Sequence, residues 1–136
     1  MISDAQGIPL AALLTGANVH DVTQLQALVE AIPSVRGKPG RPRRRPEIVQ
    51  GDRGYDSEPH RRWLRRRQIK PLLGKRNTPH GSGLGKTRWV IERTLAWLHN
   101  FRRLRIRWER RDDIHYAFLK IGCALIVWNF LQKGFC

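Results

Sequence analysis

Between residues 87 and 103 the sequence TRWVIERTLAWLHNFRR places Val90, Thr94, Trp97, Leu98 and Phe101 on one stripe, at about 100° per residue. Arg88, Glu92 and His99 fall roughly opposite. The spacing predicts a helix that lays an apolar face on a core and holds a carboxylate out from it. Thr87 is the expected N-cap, after the glycine-rich run HGSGLG. Leu25, Leu28, Val29 and Ile32 recur at the same period and predict a helix over 22–32, capped by Asp21 and stopped by Pro33. Ser57 caps a third helix running to Arg67, with Pro59 in its first turn and Trp63 and Leu64 as core contacts. A terminal helix over 112–132 contains the apolar run 121–131. That run falls short of the roughly 20 residues a bilayer span needs, so it reads as a buried core helix.

Shorter apolar runs predict strands. Asp4 to Gly7 is turn chemistry, leading from a stub at residues 1–3 into a buried strand over 8–15. Residues 47–51 and 69–73 read as two more strands, and 104–108 as a short further segment. Strands alternating with helices imply an α/β layer architecture in a single domain over 1–136. Two loops interrupt it, a basic one at 36–46 and a flexible one at 74–86.

Charge narrows the class of partner. Lys and Arg number 26 against 11 acids, giving a net charge of +15 and a pI near 11.4, which points to nucleic acid. The loop RGKPGRPRRRP concentrates that charge. Its Gly-Arg-Pro flanked by cations resembles the minor-groove reader called the AT-hook, and the alternative is a solvated loop that touches phosphates without reading sequence. Either way Arg41, Arg43, Arg44 and Arg45 are candidate DNA contacts. Two cysteines, Cys123 and Cys136, make neither a disulfide framework nor a zinc site and suit a reducing compartment. The N-terminal stretch carries Asp4 and no leading positive charge, unlike a secretory signal, so a cytoplasmic, non-membrane protein is expected. The run GSGLGKT misses the phosphate-binding loop by one position, because His80 stands where that motif needs glycine. Trp89, Trp97, Trp108 and Trp128 are expected to pack in the core, and Trp63, among arginines, stays open between packing and base stacking.

Two carboxylates carry the candidate chemistry. Asp52 stands at the C-terminal end of a predicted strand, where α/β folds place ligands, and Gly51 and Gly54 allow close approach. Glu92 comes from a separate element. Paired carboxylates amid cations suit Mg²⁺, and two such ions about 4 Å apart can drive phosphoryl transfer. The plainer reading of Glu92 is an i, i+4 pair with Arg88. Asp56 is expected to serve helix entry beside Ser57 rather than metal.

Three blocks carry a resemblance. Gly7-Ile-Pro-Leu with Leu14-Thr-Gly-Ala-Asn-Val-His-Asp21, then Gly-Asp-Arg-Gly-Tyr-Asp-Ser57, then Arg88-Trp-Val-Ile-Glu-Arg-Thr-Leu-Ala-Trp-Leu-His99 with Phe101-Arg-Arg-Leu-Arg-Ile, are similar to bacterial insertion-sequence transposases, most of all the IS-five group of the IS-four-like class. The resemblance implies a ribonuclease-H-like fold with an Asp, Asp, Glu triad, Mg²⁺ or Mn²⁺, DNA as substrate and a homo-oligomeric complete form. Asp52 then matches the second Asp, Glu92 the Glu, and Arg88 an arginine that holds DNA or the active-site helix. Gly85 and His99 stand where related proteins carry Tyr and Lys, and His99 can still donate to a phosphate. The first Asp has no counterpart, so the expected fold is α/β, ribonuclease-H-like but lacking its first strand, a mixed sheet flanked by helices. The chain is read as the second half of a transposase that in complete form cleaves transposon ends and joins the 3′-hydroxyl to target DNA. The alternative is a non-catalytic DNA-binding remnant or inhibitor.

Overall fold

A computed structural model of the chain describes residues 1–37, 39–43, 45–77 and 85–134, with side chains from Trp89 onward in the last segment. The chain forms two compact units, Gly16–Arg88 and the pair Met1–Thr15 with Trp89–Cys136.

In the unit of residues 16–88, helix α1 is Leu25–Glu30, entered through a 3₁₀ turn at Asp21–Gln24. The expected helix over 22–32 is therefore shorter. Asp21 is not its cap, because the amide and hydroxyl of Thr23 both donate to the His20 carbonyl and tighten the chain into the 3₁₀ turn. Leu25, Leu28 and Val29 are buried, as their spacing predicts. Strand β3 (Ile48–Gly51) runs parallel to β4 (Lys70–Leu73), joined by helix α2 (Glu58–Arg66). Ser57 holds the N-cap position of α2, yet its hydroxyl bonds His60 Nδ1 at 2.6 Å instead of a backbone amide.

The end of α2 is shaped by hydrogen bonding. Ile69 N–H donates to the Leu64 carbonyl at 3.0 Å and Gln68 N–H to the Arg65 carbonyl at 2.9 Å, while Gln68 adopts φ +60. This is a Schellman-type cap with Leu64 and Ile69 buried against it. A glutamine in that left-handed conformation costs about 1 kcal/mol relative to glycine. Arg61 is 5% exposed, so the helix is basic on its outer face alone.

In the other unit, β1 (Ile2–Ser3) and β2 (Pro9–Ala11) form a short antiparallel hairpin. Asp4 closes its turn by accepting from the amides of Gln6 and Ile8 at 2.9 and 2.8 Å, and Gly7 supplies φ +84. The strand expected over 8–15 shortens to three half-buried residues. Helix α3 (Gly85–His99) carries the predicted stripe up to Leu98, with Thr94 and Leu98 buried and Val90 and Trp97 half-buried, while Phe101, also half-buried, lies beyond its end. Thr87 is its third residue and not its cap, since the helix already begins at Gly85. Helix α4 (Arg102–Arg105) and helix α5 (Asp112–Gly134) complete the unit.

Among the described residues the strands make two separate two-stranded sheets, where one mixed sheet is expected from the sequence. The fold is nonetheless mixed α/β. Helix α5 departs further. The apolar run 121–131 is part of a 23-residue helix, long and apolar enough by length and composition to cross a membrane, which corrects the sequence reading. It is also not a buried core helix. Gly122 and Ile126 are its buried residues, while Ile121, Leu125, Trp128 and Leu131 are exposed. The reason is width: a helix that is apolar all round has more apolar surface than α3 and α4 can cover. Length and composition are weak evidence for a bilayer, and Lys120 sits near the middle of the helix.

Candidate nucleic-acid and metal site

Asp52 directly follows β3, at the carboxyl edge of a parallel strand pair whose crossover is α2. The local chain is tightly bounded. A Cβ on Gly51 would lie 2.9 Å from Leu73 Cδ2 and 3.2 Å from Tyr55 Cβ, so only glycine fits there. Asp52 then caps a 3₁₀ turn at Arg53–Tyr55, its Oδ1 accepting from the Gly54 amide at 2.9 Å. Oδ2 has no hydrogen bond among the described residues. The aspartate is thus oriented by backbone and half-buried, with one oxygen left for a ligand.

Behind it sits a lock that sequence reasoning missed. Arg61 Nη2 donates to Asp56 Oδ1 at 2.7 Å, to the Leu73 carbonyl at 3.0 Å and to the Gly74 carbonyl at 3.3 Å. The second oxygen of Asp56 accepts from the Arg76 amide at 2.7 Å. Asp56 therefore ties α2, the end of β4 and the turn after Asp52 together, and both its oxygens are committed, as suits a structural rather than a metal-binding carboxylate. Tyr55 feels the charge of two acids. Burial first, then the charges of Asp21 and Asp52, push its phenol above the ordinary tyrosine value.

Glu92 is exposed on α3, on the face away from the buried stripe. The helix beneath it is pinned. Thr94 is fully buried and its hydroxyl lies 2.7 Å from the Gly7 carbonyl, while Arg93 donates to the Gln6 carbonyl at 2.7 Å. Arg93 is also stacked between Trp89 and Trp97, at 4.4 and 4.8 Å from their centroids. Core roles expected for the tryptophans are corrected accordingly. Trp89, Trp108 and Trp128 are 50%, 59% and 57% exposed, and Trp97 is half-buried with its ring edge-on to Phe130.

The candidate DNA contacts differ in their freedom. His99 is exposed at the end of α3. The side chain of Arg88 and the whole of Arg44 lie outside the described residues. The basic loop closes on itself through Val35 and Arg43, whose backbones exchange hydrogen bonds of 2.9 and 3.0 Å, so the Gly40-Arg41-Pro42 stretch sits on a hairpin and not on an extended arm. Arg41 is exposed there, Arg43 pairs with Glu47, and Arg45 reaches α2, where it donates to the Arg67 carbonyl and to Gln68.

Each of Asp52 and Glu92 offers hard carboxylate oxygens, the chemistry that a divalent cation such as Mg²⁺ or Mn²⁺ takes, and one Asp52 oxygen is unengaged among the described residues. Among the described residues no group of three His, Cys, Asp or Glu is gathered that could hold one alone. Asp52 belongs to the unit of residues 16–88 and Glu92 to the other.

Residues 1–129 match the family described as transposase DDE domain, and the chain belongs to that family. It is similar to a presumed transposase for insertion sequence element IS402 from Burkholderia cepacia, with 66% identity over 134 residues, covering 98% of this chain and 64% of that protein. It is 30% identical over 107 residues to a transposase for insertion sequence element IS1106 from Neisseria meningitidis serogroup B, covering 71% of this chain and 33% of that protein. The chain thus spans just under two thirds of the first relative's length and a third of the second's. No solved structure matches.

Proposed function

We propose that the chain is the catalytic region of a DNA transposase with a ribonuclease-H-like arrangement, and that Asp52 and Glu92 are ligands for a divalent metal, Mg²⁺ or Mn²⁺. The observation that carries the reading is the family match over residues 1–129. The orientation of Asp52 by the Gly54 amide supports its role, because a ligand fixed by backbone loses little freedom on binding. A divalent cation of this kind, when bound, activates an attacking oxygen and offsets charge on the phosphate. In this reading the basic side chains hold the phosphate backbone, while the Arg61–Asp56 lock keeps the turn carrying Asp52 in place. The complete protein, as a homo-oligomer, cuts transposon ends and joins the 3′-hydroxyl to target DNA.

The test is a chimera in which this chain replaces the matching segment of the Burkholderia cepacia relative. Mg²⁺-dependent cleavage of a plasmid carrying the insertion-sequence ends is expected. Asp52→Asn and Glu92→Gln should each lower it by at least about a hundredfold, about 3 kcal/mol in the barrier, with duplex binding unchanged. Cleavage within a few-fold of the parent in either variant would remove that carboxylate from the site.

A further inference from the structure

The positive charge is unevenly shared. Residues 16–88 hold 17 of the 26 Lys and Arg and six of the 11 acids. Four of those arginines are neutralised locally: Arg43 by Glu47, Arg61 by Asp56, Arg65 by Glu58 and Arg67 by Glu30. On the outer face of α2, Arg62 and Arg66 stand one turn apart, exposed and with no ion pair among the described residues. Lys70 is exposed just beyond the helix.

The basic hairpin is fastened to this same helix. Arg45 Nη1 donates to the Arg67 carbonyl at 3.0 Å and Nη2 to Gln68 Oε1 at 2.6 Å, across 22 and 23 residues of sequence. Gln68 is the residue held at φ +60, where glycine would be easier. A glutamine kept there at a cost, with its side chain on Arg45, makes sense if the position of the hairpin matters. Fastening it holds the hairpin's chain at the C-terminal end of α2, the helix that carries the exposed Arg62 and Arg66.

Resting on the reading of the chain as a DNA transposase, we propose that the outer face of α2 and the described part of the hairpin closed by Val35 and Arg43 form one duplex-backbone-binding surface. In it Arg62 and Arg66 contact phosphates, and Arg45 is a positioning residue held by Gln68 rather than a DNA contact. Trp63 belongs beneath this surface and is not a base-stacking platform, since the Arg67 guanidinium covers its ring at 4.3 Å.

The experiment is fluorescence anisotropy of the intact chain on a labelled duplex of arbitrary sequence, titrated with salt. Each phosphate neutralised contributes about −0.9 to the slope of log K against log salt. The double variant Arg62→Gln with Arg66→Gln should bind less tightly and flatten that slope by nearly two. Gln68→Gly favours the left-handed backbone and keeps the fold, so circular dichroism should be unchanged. Its duplex affinity should nevertheless fall, and Gln68→Asn should fall less. A double variant with the parent's slope, or a Gln68→Gly variant with the parent's affinity, overturns the proposal while leaving DNA binding intact. Tighter binding to single strands or RNA than to the duplex overturns the choice of partner. If the parent chain itself fails to bind duplex at low salt, the transposase reading falls with the proposal.

Discussion

Arg61 shows how little a residue's name says about its place. It sits among five arginines within seven residues, yet it alone turns inward, because the acceptors that receive it, Leu73 and Gly74 carbonyls and Asp56, come from other segments. Periodicity could not reveal this, since a buried guanidinium depends on partners up to 13 residues away. The outward position of Glu92 and the inward ones of Thr94 and Leu98 were legible, because one helix's period decides them. Arg61→Ala leaves Asp56 without its cation, and urea unfolding should show a loss of about 3 kcal/mol; a loss under about 1 kcal/mol would contradict the lock. Tyr55 offers a second check. Burial, Asp21 and Asp52 all disfavour its phenolate, so the native state holds the proton more tightly than the unfolded chain. Its contribution to stability is full below the ordinary tyrosine value and is lost as pH rises through the raised one. Asp52→Asn should lower the Tyr55 pKa and leave it above the ordinary value, since burial is the first cause. With two tyrosines in the chain, ultraviolet titration resolves the change, and an unshifted Tyr55 would place its neighbour differently.

Among the elements, α3 and α5 answer to different rules. The stripe of α3 was readable because one face is apolar; α5 was misread because its apolar residues surround it, and no period says which of them a neighbour covers. The answer lies in Gly122, where a Cβ would stand 2.9 Å from Leu104 Cδ1 and 3.0 Å from Leu98 Cδ2. Gly122→Ala gains about 1 kcal/mol in helix propensity. Leu98 is buried and cannot yield, so the overpacking, about 1–3 kcal/mol, should win and lower the melting temperature. A rise in melting temperature would mean that the helices are not in contact there. Thr94 pins α3 to the first hairpin in the same way. Thr94→Val removes the hydroxyl from the Gly7 carbonyl and should cost about 1–2 kcal/mol in chemical denaturation, with a neutral result contradicting the bond.

At the scale of the molecule, motif blocks gave the family, and the division into units left no mark in the sequence. One unit is assembled from residues 1–15 and 89–136, through bonds such as Thr94 to Gly7 and Tyr116 to the Ala12 carbonyl, 87 and 104 residues apart. Charge, in contrast, was legible from composition, whereas which arginines are committed to partners, as Arg61 is to Asp56 and Arg67 to Glu30, is decided by the fold. The central claim is that Asp52 and Glu92 are each metal ligands. Iron-directed backbone cleavage tests it on this chain as it stands: Fe²⁺ with ascorbate is supplied in place of Mg²⁺, and the cut sites are mapped by mass spectrometry. Cuts clustered beside Asp52 and beside Glu92, suppressed by Mg²⁺ and lost in Asp52→Asn and Glu92→Gln, are the expected result. Cuts confined to other acids, such as Asp112 and Asp113, or cuts that survive both substitutions, would contradict the account.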